Sequence, residues 1–271
     1  MKTRALRMYG AKDLRVEEFE LPEITGDEIL VKVISDSVCM STYKCAILGK
    51  KHKRVPENVA THPVIMGHEF SGEIVQVGKN HKDKFAPGMK FALQPALNYK
   101  GTMWSPGYSY EYFGGNATYA IIPPEVMELG CLLEYKGDSF FEASLAEPIS
   151  CSIGAFHSCY HTIANTYEHV MGTKQKGKLA LLAGGGPMGL GAVDYALNCD
   201  NPPSLLVVTD LDAGRIDRLS KLFPKEKYAA RGIEVAFLQT GKAEDAVKQL
   251  MELSPEGYDD VFVYAPVQGL V

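Results

Sequence analysis

Three well-separated places in the chain offer side chains that bind metal ions. Cys39 lies in Ser35-Asp36-Ser37-Val38-Cys39-Met40-Ser41-Thr42. His68 and Glu69 follow Gly67, directly before an apolar run that starts at Phe70. Glu147 lies in Ala146-Glu147-Pro148. One thiolate, one imidazole and one carboxylate make an open zinc site, with three protein ligands and a fourth position for water or substrate. No local spacing rule links the three places. Taken singly, each has a plainer reading: a buried thiol, a turn histidine, a glutamate at a helix start.

A second chemistry is written in one continuous stretch. Gly184-Gly185-Gly186-Pro187-Met188-Gly189 fits G-x-G-x-x-G, follows an apolar strand and opens a helix. Gly184, Gly186 and Gly189 make the turn tight and admit a pyrophosphate, while Pro187 and Met188 begin the helix that receives it. Asp210 ends the next predicted strand, at the distance where an acidic side chain accepts hydrogen bonds from an adenosine ribose. Such a carboxylate repels a 2′-phosphate and favours NAD(H) over NADP(H), although Arg215 beside it offers a phosphate partner. The plain alternative is a glycine turn without a ligand, followed by a surface aspartate.

The elements that would hold these groups fall into two regimes. Up to about Ile122 the pattern is β-like, with short apolar alternations broken by turns. Strands are predicted over 28–34, 70–77, 90–93 and 117–123, consistent with a barrel or sandwich. Between them, 98–116 is a long loop rich in Gly, Tyr and Ser that carries the single tryptophan, Trp104; loops of this length are often functional. From about Glu147 the regime is α/β. Helices are predicted over 150–164, 188–198, 213–223 and 243–253, alternating with strands over 178–183, 204–210, 233–238 and 260–264. That alternation predicts a parallel sheet with crossover helices. The expected domains are 1–150 and 151–271.

Composition narrows the partners. The 271 residues are 46% hydrophobic and 23% charged, enough for two ordinary cores, and the net charge is −5. That charge disfavours nucleic acid and anionic membrane as partners. The first ten residues do not read as a signal peptide, and the longest apolar stretch, 179–193, is broken by glycines and a proline. A cytoplasmic protein is expected. The six cysteines form no CxxC pair, so no disulfide framework is predicted.

The run Gly67-His68-Glu69-Phe70-Ser71-Gly72-Glu73-Ile74-Val75-Gln76-Val77-Gly78 resembles the signature of the zinc-dependent medium-chain alcohol and polyol dehydrogenases. Cys39 with Ser41 resembles that family's first zinc ligand and proton-relay hydroxyl. Leu145-Ala146-Glu147-Pro148 resembles its polyol-dehydrogenase branch, where Glu replaces Cys. The glycine turn and Asp210 lie where the family has its cofactor domain. The resemblance covers nearly the whole chain and implies a GroES-like catalytic domain followed by a Rossmann domain. It implies one catalytic zinc on Cys39 and His68, with Glu69 and Glu147 each able to ligate it or hold its water. It implies alcohol–ketone interconversion with a nicotinamide cofactor on a small polyol, ketose or sugar phosphate, in a homo-oligomer when complete.

Departures from the family sharpen the expectations. No close cysteine quartet lies between Phe91 and Gly130, so no structural zinc is expected. Met40 and Thr42 replace commoner residues. Lys44 stands where many members carry a relay histidine, and a lysine there could hold a phosphate or sugar oxyanion. These features resemble the sorbitol dehydrogenase and L-sorbose-1-phosphate reductase branch. Family cofactor domains have six strands; this chain ends after the fourth predicted one, so a fragment, a truncated reading frame or an incomplete copy of the natural protein is expected, with an exposed sheet edge. The alternatives are a zinc-free, quinone-reductase-like member and a non-catalytic NAD-binding or interaction protein.

Overall fold

The computed structural model describes residues 1–241 and 243–266. The chain divides into two compact units, Met1–Glu147 and a second beginning at Pro148.

The first unit is mainly β. A hairpin of β1 (Lys2–Gly10) and β2 (Asp13–Glu20) joins β4 (Val64–Ile65) in a three-stranded sheet of order β2-β1-β4. A five-stranded antiparallel sheet contains β3 (Ile29–Asp36), β5 (Phe70–Val77), β6 (Lys90–Leu93), β7 (Tyr119–Ile122) and β8 (Leu132–Glu134), in the order β7-β3-β5-β6-β8. Inward residues of these strands, among them Ile29, Val31, Phe70, Ile74, Phe91 and Ile122, close over one core with Phe113 from the long loop. Phe70 meets Phe91 and Phe113 edge to face, with ring centroids 6.0 and 5.7 Å apart, an arrangement aromatic quadrupoles favour.

One pairing decides the chemistry. In the β3–β5 register Asp36 faces Phe70. The strands are antiparallel, so the residues leaving β3 run beside those entering β5. Backbone bonds extend this past the sheet: Ser37 N–H donates to the Glu69 carbonyl at 2.9 Å. Helix α1 (Met40–Leu48) starts immediately afterwards, with Cys39 at its N-cap. Gly67, at φ +87°, is required at the turn into β5, because a Cβ there would lie 2.0 Å from Asp36 Oδ2. Short helices α2 (Pro124–Glu128) and α3 (Phe140–Ser144) follow the long loop.

Helix α4 spans Ala146–Ser158. This corrects the helix predicted over 150–164. The helix starts four residues earlier and ends at Ser158; Tyr160–Thr162 (β9) then pairs antiparallel with His169–Met171 (β10). The hairpin turn passes Asn165 in a left-handed conformation, φ 63°. The apolar side chains of Tyr160 and Ile163 mimic a continuing helical stripe, but β9 hydrogen-bonds to β10 instead.

The second unit holds a parallel sheet of β11 (Lys178–Leu182), β12 (Leu205–Asp210), β13 (Glu234–Gln239) and β14 (Asp260–Val263), ordered β13-β12-β11-β14. Strand β12 is buried at every position, as a central parallel strand covered on both faces should be. Its crossovers are α5 (Pro187–Asn198), α6 (Ala213–Leu222) and α8 (Ala243–Leu253), plus a short α7 (Lys225–Ala229) that the sequence pattern did not reveal. Leu179, Leu181, Val193, Leu206, Val208 and Tyr228 form the core.

Candidate metal centre and dinucleotide turn

Cys39, His68 and Glu69 each present a ligand atom, and these atoms all lie within 4.8 Å of one another. His68 and Glu69 are buried, and Cys39 is half-buried. The sheet register explains the meeting: Cys39 follows β3 and the other two precede β5.

The surroundings hold each group in place. Glu69 N–H donates to Asp36 Oδ1 at 3.1 Å, and the Ser37 hydroxyl donates to the Glu69 carboxylate. Asn116 donates to the other oxygen of Asp36. Burial pushes the Asp36 carboxyl up to about 7, with the Glu69 charge adding to the rise and the Glu69 N–H opposing it. His68 has Nδ1 3.3 Å from Thr42 Oγ1, while Nε2 lies 3.8 Å from Glu69 Oε1 and 3.4 Å from the Tyr108 hydroxyl. Thr42 thus orients the ring from the nitrogen away from the cluster, as outer partners of metal-binding histidines do. Burial lowers the His68 pKa, which favours the neutral, ligating form; Glu69 opposes this and Arg54 reinforces it.

The donor chemistry fits a divalent metal. Burial pushes the Cys39 thiol up, and the Glu69 charge pushes the same way, against hydrogen bonds from Ser41. A thiolate and a carboxylate in one buried spot repel each other unless a cation stands between them. Thiolate, imidazole and carboxylate together suit zinc. Ser41 N–H donates to Cys39 Sγ at 3.4 Å, which ties the first turn of α1 to the cluster.

A cleft of about 290 Å³ opens onto His68. Its walls include Ser41, Lys44 and Glu147 from the sequence reading, together with His52, Lys53, Arg54, Ser105 and Tyr108. Glu147 is therefore on the cleft wall, while the three mutually close donors are Cys39, His68 and Glu69. The sequence reading missed Tyr108 and the cations at 53 and 54. The basic run Lys50-Lys51-His52-Lys53-Arg54 and the aromatic loop were the available signals.

In the second unit the glycine turn lies between β11 and α5, with Gly186 at the helix N-cap and Pro187 and Met188 in its first turn. Gly189 packs against the turn so closely that a Cβ would sit 2.2 Å from the Gly184 carbonyl oxygen. A Cβ on Gly186 would meet nothing within 4 Å, so that side of the turn is open. Asp210, 4% exposed, accepts from Gly185 N–H and Asp212 N–H, both at 3.0 Å. Arg215 Nη1 lies 3.5 Å from its Oδ2. Arg218 donates to the Gly185 carbonyl at 2.7 Å. The turn, Asp210 and both arginines form one connected group.

Residues 25–130 match the alcohol dehydrogenase GroES-like domain. The chain is 55% identical over 267 residues to mannitol-1-phosphate 5-dehydrogenase of Aliivibrio fischeri, covering 98% of this chain and 63% of that protein. It is 45% identical over 270 residues to L-sorbose 1-phosphate reductase of Klebsiella pneumoniae, covering 99% and 64%. The chain thus spans just under two thirds of the length of these curated relatives. The crystal structure of 2R,3R-butanediol dehydrogenase from Bacillus subtilis shares the fold, with a TM-score of 0.73 at 23% identity, covering 99% of this chain and 72% of that one. Residues 25–130 thus carry an alcohol dehydrogenase GroES-like domain, and over nearly its whole length the chain is similar to these polyol-phosphate and alcohol dehydrogenases.

Proposed function

We propose that this chain carries out alcohol–ketone interconversion on a polyol or sugar phosphate, with a nicotinamide cofactor. The observation that carries the reading is the buried Cys39–His68–Glu69 cluster opening onto a cleft lined by Ser41. The relatives named as acting on mannitol 1-phosphate and L-sorbose 1-phosphate support the substrate class. Cys39, His68 and Glu69 would hold zinc, with Glu147 on the cleft wall as the alternative carboxylate. Zinc supplies Lewis-acid polarisation of the alcohol or carbonyl oxygen, and the nicotinamide gives or takes the hydride.

The chain's own residues do the rest. Thr42 fixes the His68 ring. Burial keeps the Tyr108 hydroxyl protonated far above neutral pH, so it acts beside His68 as a neutral hydrogen-bonding group. Ser41, exposed at the cleft wall, passes the hydroxyl proton outward. Gly184, Gly186 and Gly189 with the start of α5 would bind the pyrophosphate, and Asp210 would favour NAD(H). Arg215 is drawn to Asp210 and so is less available to a 2′-phosphate.

The test is turnover of polyols and polyol phosphates by the protein in its natural full length, followed by NADH absorbance. Zinc-loaded protein is expected to reduce NAD⁺ with at least one of them, and to prefer NAD⁺ to NADP⁺. Ser41→Ala is expected to lower kcat by about 10²-fold while zinc content stays unchanged. Full turnover in that variant removes Ser41 from the mechanism. Absence of turnover across the panel contradicts the reading.

A further inference from the structure

The cleft carries more positive charge than alcohol oxidation uses. Lys44 projects from α1, and His52, Lys53 and Arg54 lie in the turn that follows it; all four line the cleft. Glu147 is the acidic residue on the same wall. Like charges gathered at one concave spot repel each other, and an anion relieves that repulsion.

The cations are anchored. Ser109 Oγ donates to the Arg54 carbonyl at 2.7 Å, tying the basic turn to the long loop. Arg54 N–H donates to His52 Nδ1 at 3.3 Å, so the neutral His52 ring keeps its proton on Nε2 as a donor. The His52 ring stacks on Tyr108 at 5.3 Å with 12° between planes, and the Arg54 guanidinium lies 5.6 Å from the same ring centroid. Burial, reinforced by Arg54, Lys53 and Lys44, lowers the His52 pKa. Tyr108 joins this group to the metal cluster, because its hydroxyl is 3.4 Å from His68 Nε2. A ligand with its alcohol at the cluster therefore has a cationic wall one tyrosine ring away.

We propose that Lys44, Lys53 and Arg54, with the Nε2–H of His52, form a phosphate subsite in this cleft, which makes a phosphorylated polyol the substrate. The inference rests on the reading of the cleft as the alcohol site. A phosphoryl dianion matches the charge, and a guanidinium offers it paired N–H donors. The subsite selects by affinity: a bare polyol leaves the cations to water, whereas a polyol phosphate engages them.

The experiment uses the protein in its natural full length, zinc-loaded, with Lys44→Gln, Lys53→Gln and Arg54→Gln variants. Lys44 and Lys53 are exposed, so their replacement leaves the fold intact even if the Arg54 variant does not fold. Binding of a hexitol 1-phosphate and of inorganic phosphate is measured by ³¹P NMR titration, without cofactor. Each substitution is expected to weaken hexitol phosphate binding about tenfold. Each is also expected to lower, by about the same factor, the ratio of kcat/KM for the hexitol phosphate to that for the bare hexitol. Unchanged phosphate affinity in all three variants overturns the subsite. So does loss of NADPH affinity with hexitol phosphate affinity intact, which would assign the cations to the cofactor. Absence of turnover with any polyol counts against the oxidoreductase reading instead, and the binding titration still decides the subsite.

Discussion

The metal cluster and the glycine turn are built in opposite ways. The cluster consists of side chains from two segments about thirty residues apart in sequence, brought together by the register of β3 against β5. The turn consists of backbone from one continuous segment, shaped by what its glycines lack. The side-chain site depends on long-range pairing and on buried groups that tolerate each other poorly without a cation. The backbone site depends on close approach, and its one key side chain, Asp210, is held by backbone N–H groups. One region should therefore fail through chemistry and the other through packing.

The largest effect is expected at the cluster. His68→Ala removes one of the three proposed metal donors; turnover should fall by about 10³-fold or more, read from steady-state kinetics. A loss below tenfold would break the comparison, because His68 would then be a core residue.

The glycine turn sharpens the comparison with a pair of variants. Gly189→Ala forces a methyl into the Gly184 carbonyl and should destabilise the fold by about 1–3 kcal/mol in urea unfolding. Gly186→Ala meets open space, so stability should stay within about 0.5 kcal/mol while NADH binding weakens. Equal stability in the two variants would contradict the packing account.

The smallest expected effect is a pH dependence in the second unit. Lys174, bonded at 2.6 Å, and Lys178 N–H, at 2.8 Å, hold the Asp259 carboxyl below its usual value. The native pKa is lower than the unfolded one, so the stabilisation is present above the ordinary carboxylate range of about 4 and is lost as pH falls through the depressed value. The site is largely solvent-screened, so Asp259→Asn should cost less than about 1 kcal/mol at pH 7. That cost should shrink as the pH is lowered. A cost that does not change with pH would place the role of Asp259 in its shape alone.

The same contrast explains what was legible in the sequence. The glycine turn, its flanking strand and helix, and Asp210 are contiguous or nearly so, and local patterns located them. Cys39, His68 and Glu69 could be named, but only the pairing of Asp36 with Phe70 brings them together. The hairpin of β1 and β2 is hidden in the sequence because the buried face of β1 carries Thr3 and Arg7, with Arg7 paired to Glu111, where a strand pattern expects apolar residues. The end of α4 was overrun because Tyr160 and Ile163 continue an apolar stripe that belongs to β9 and its turn. Arg54 and Tyr108 meet only because Ser109 ties the long loop to the basic turn.

The most direct test of the central claim is zinc content by elemental mass spectrometry, for zinc-loaded protein and for Cys39→Ser after identical dialysis. The account predicts about one zinc per chain, almost all of it lost in the variant. Zinc retained at the same level in Cys39→Ser, or none bound by the parent protein, would contradict a metal centre on Cys39, His68 and Glu69.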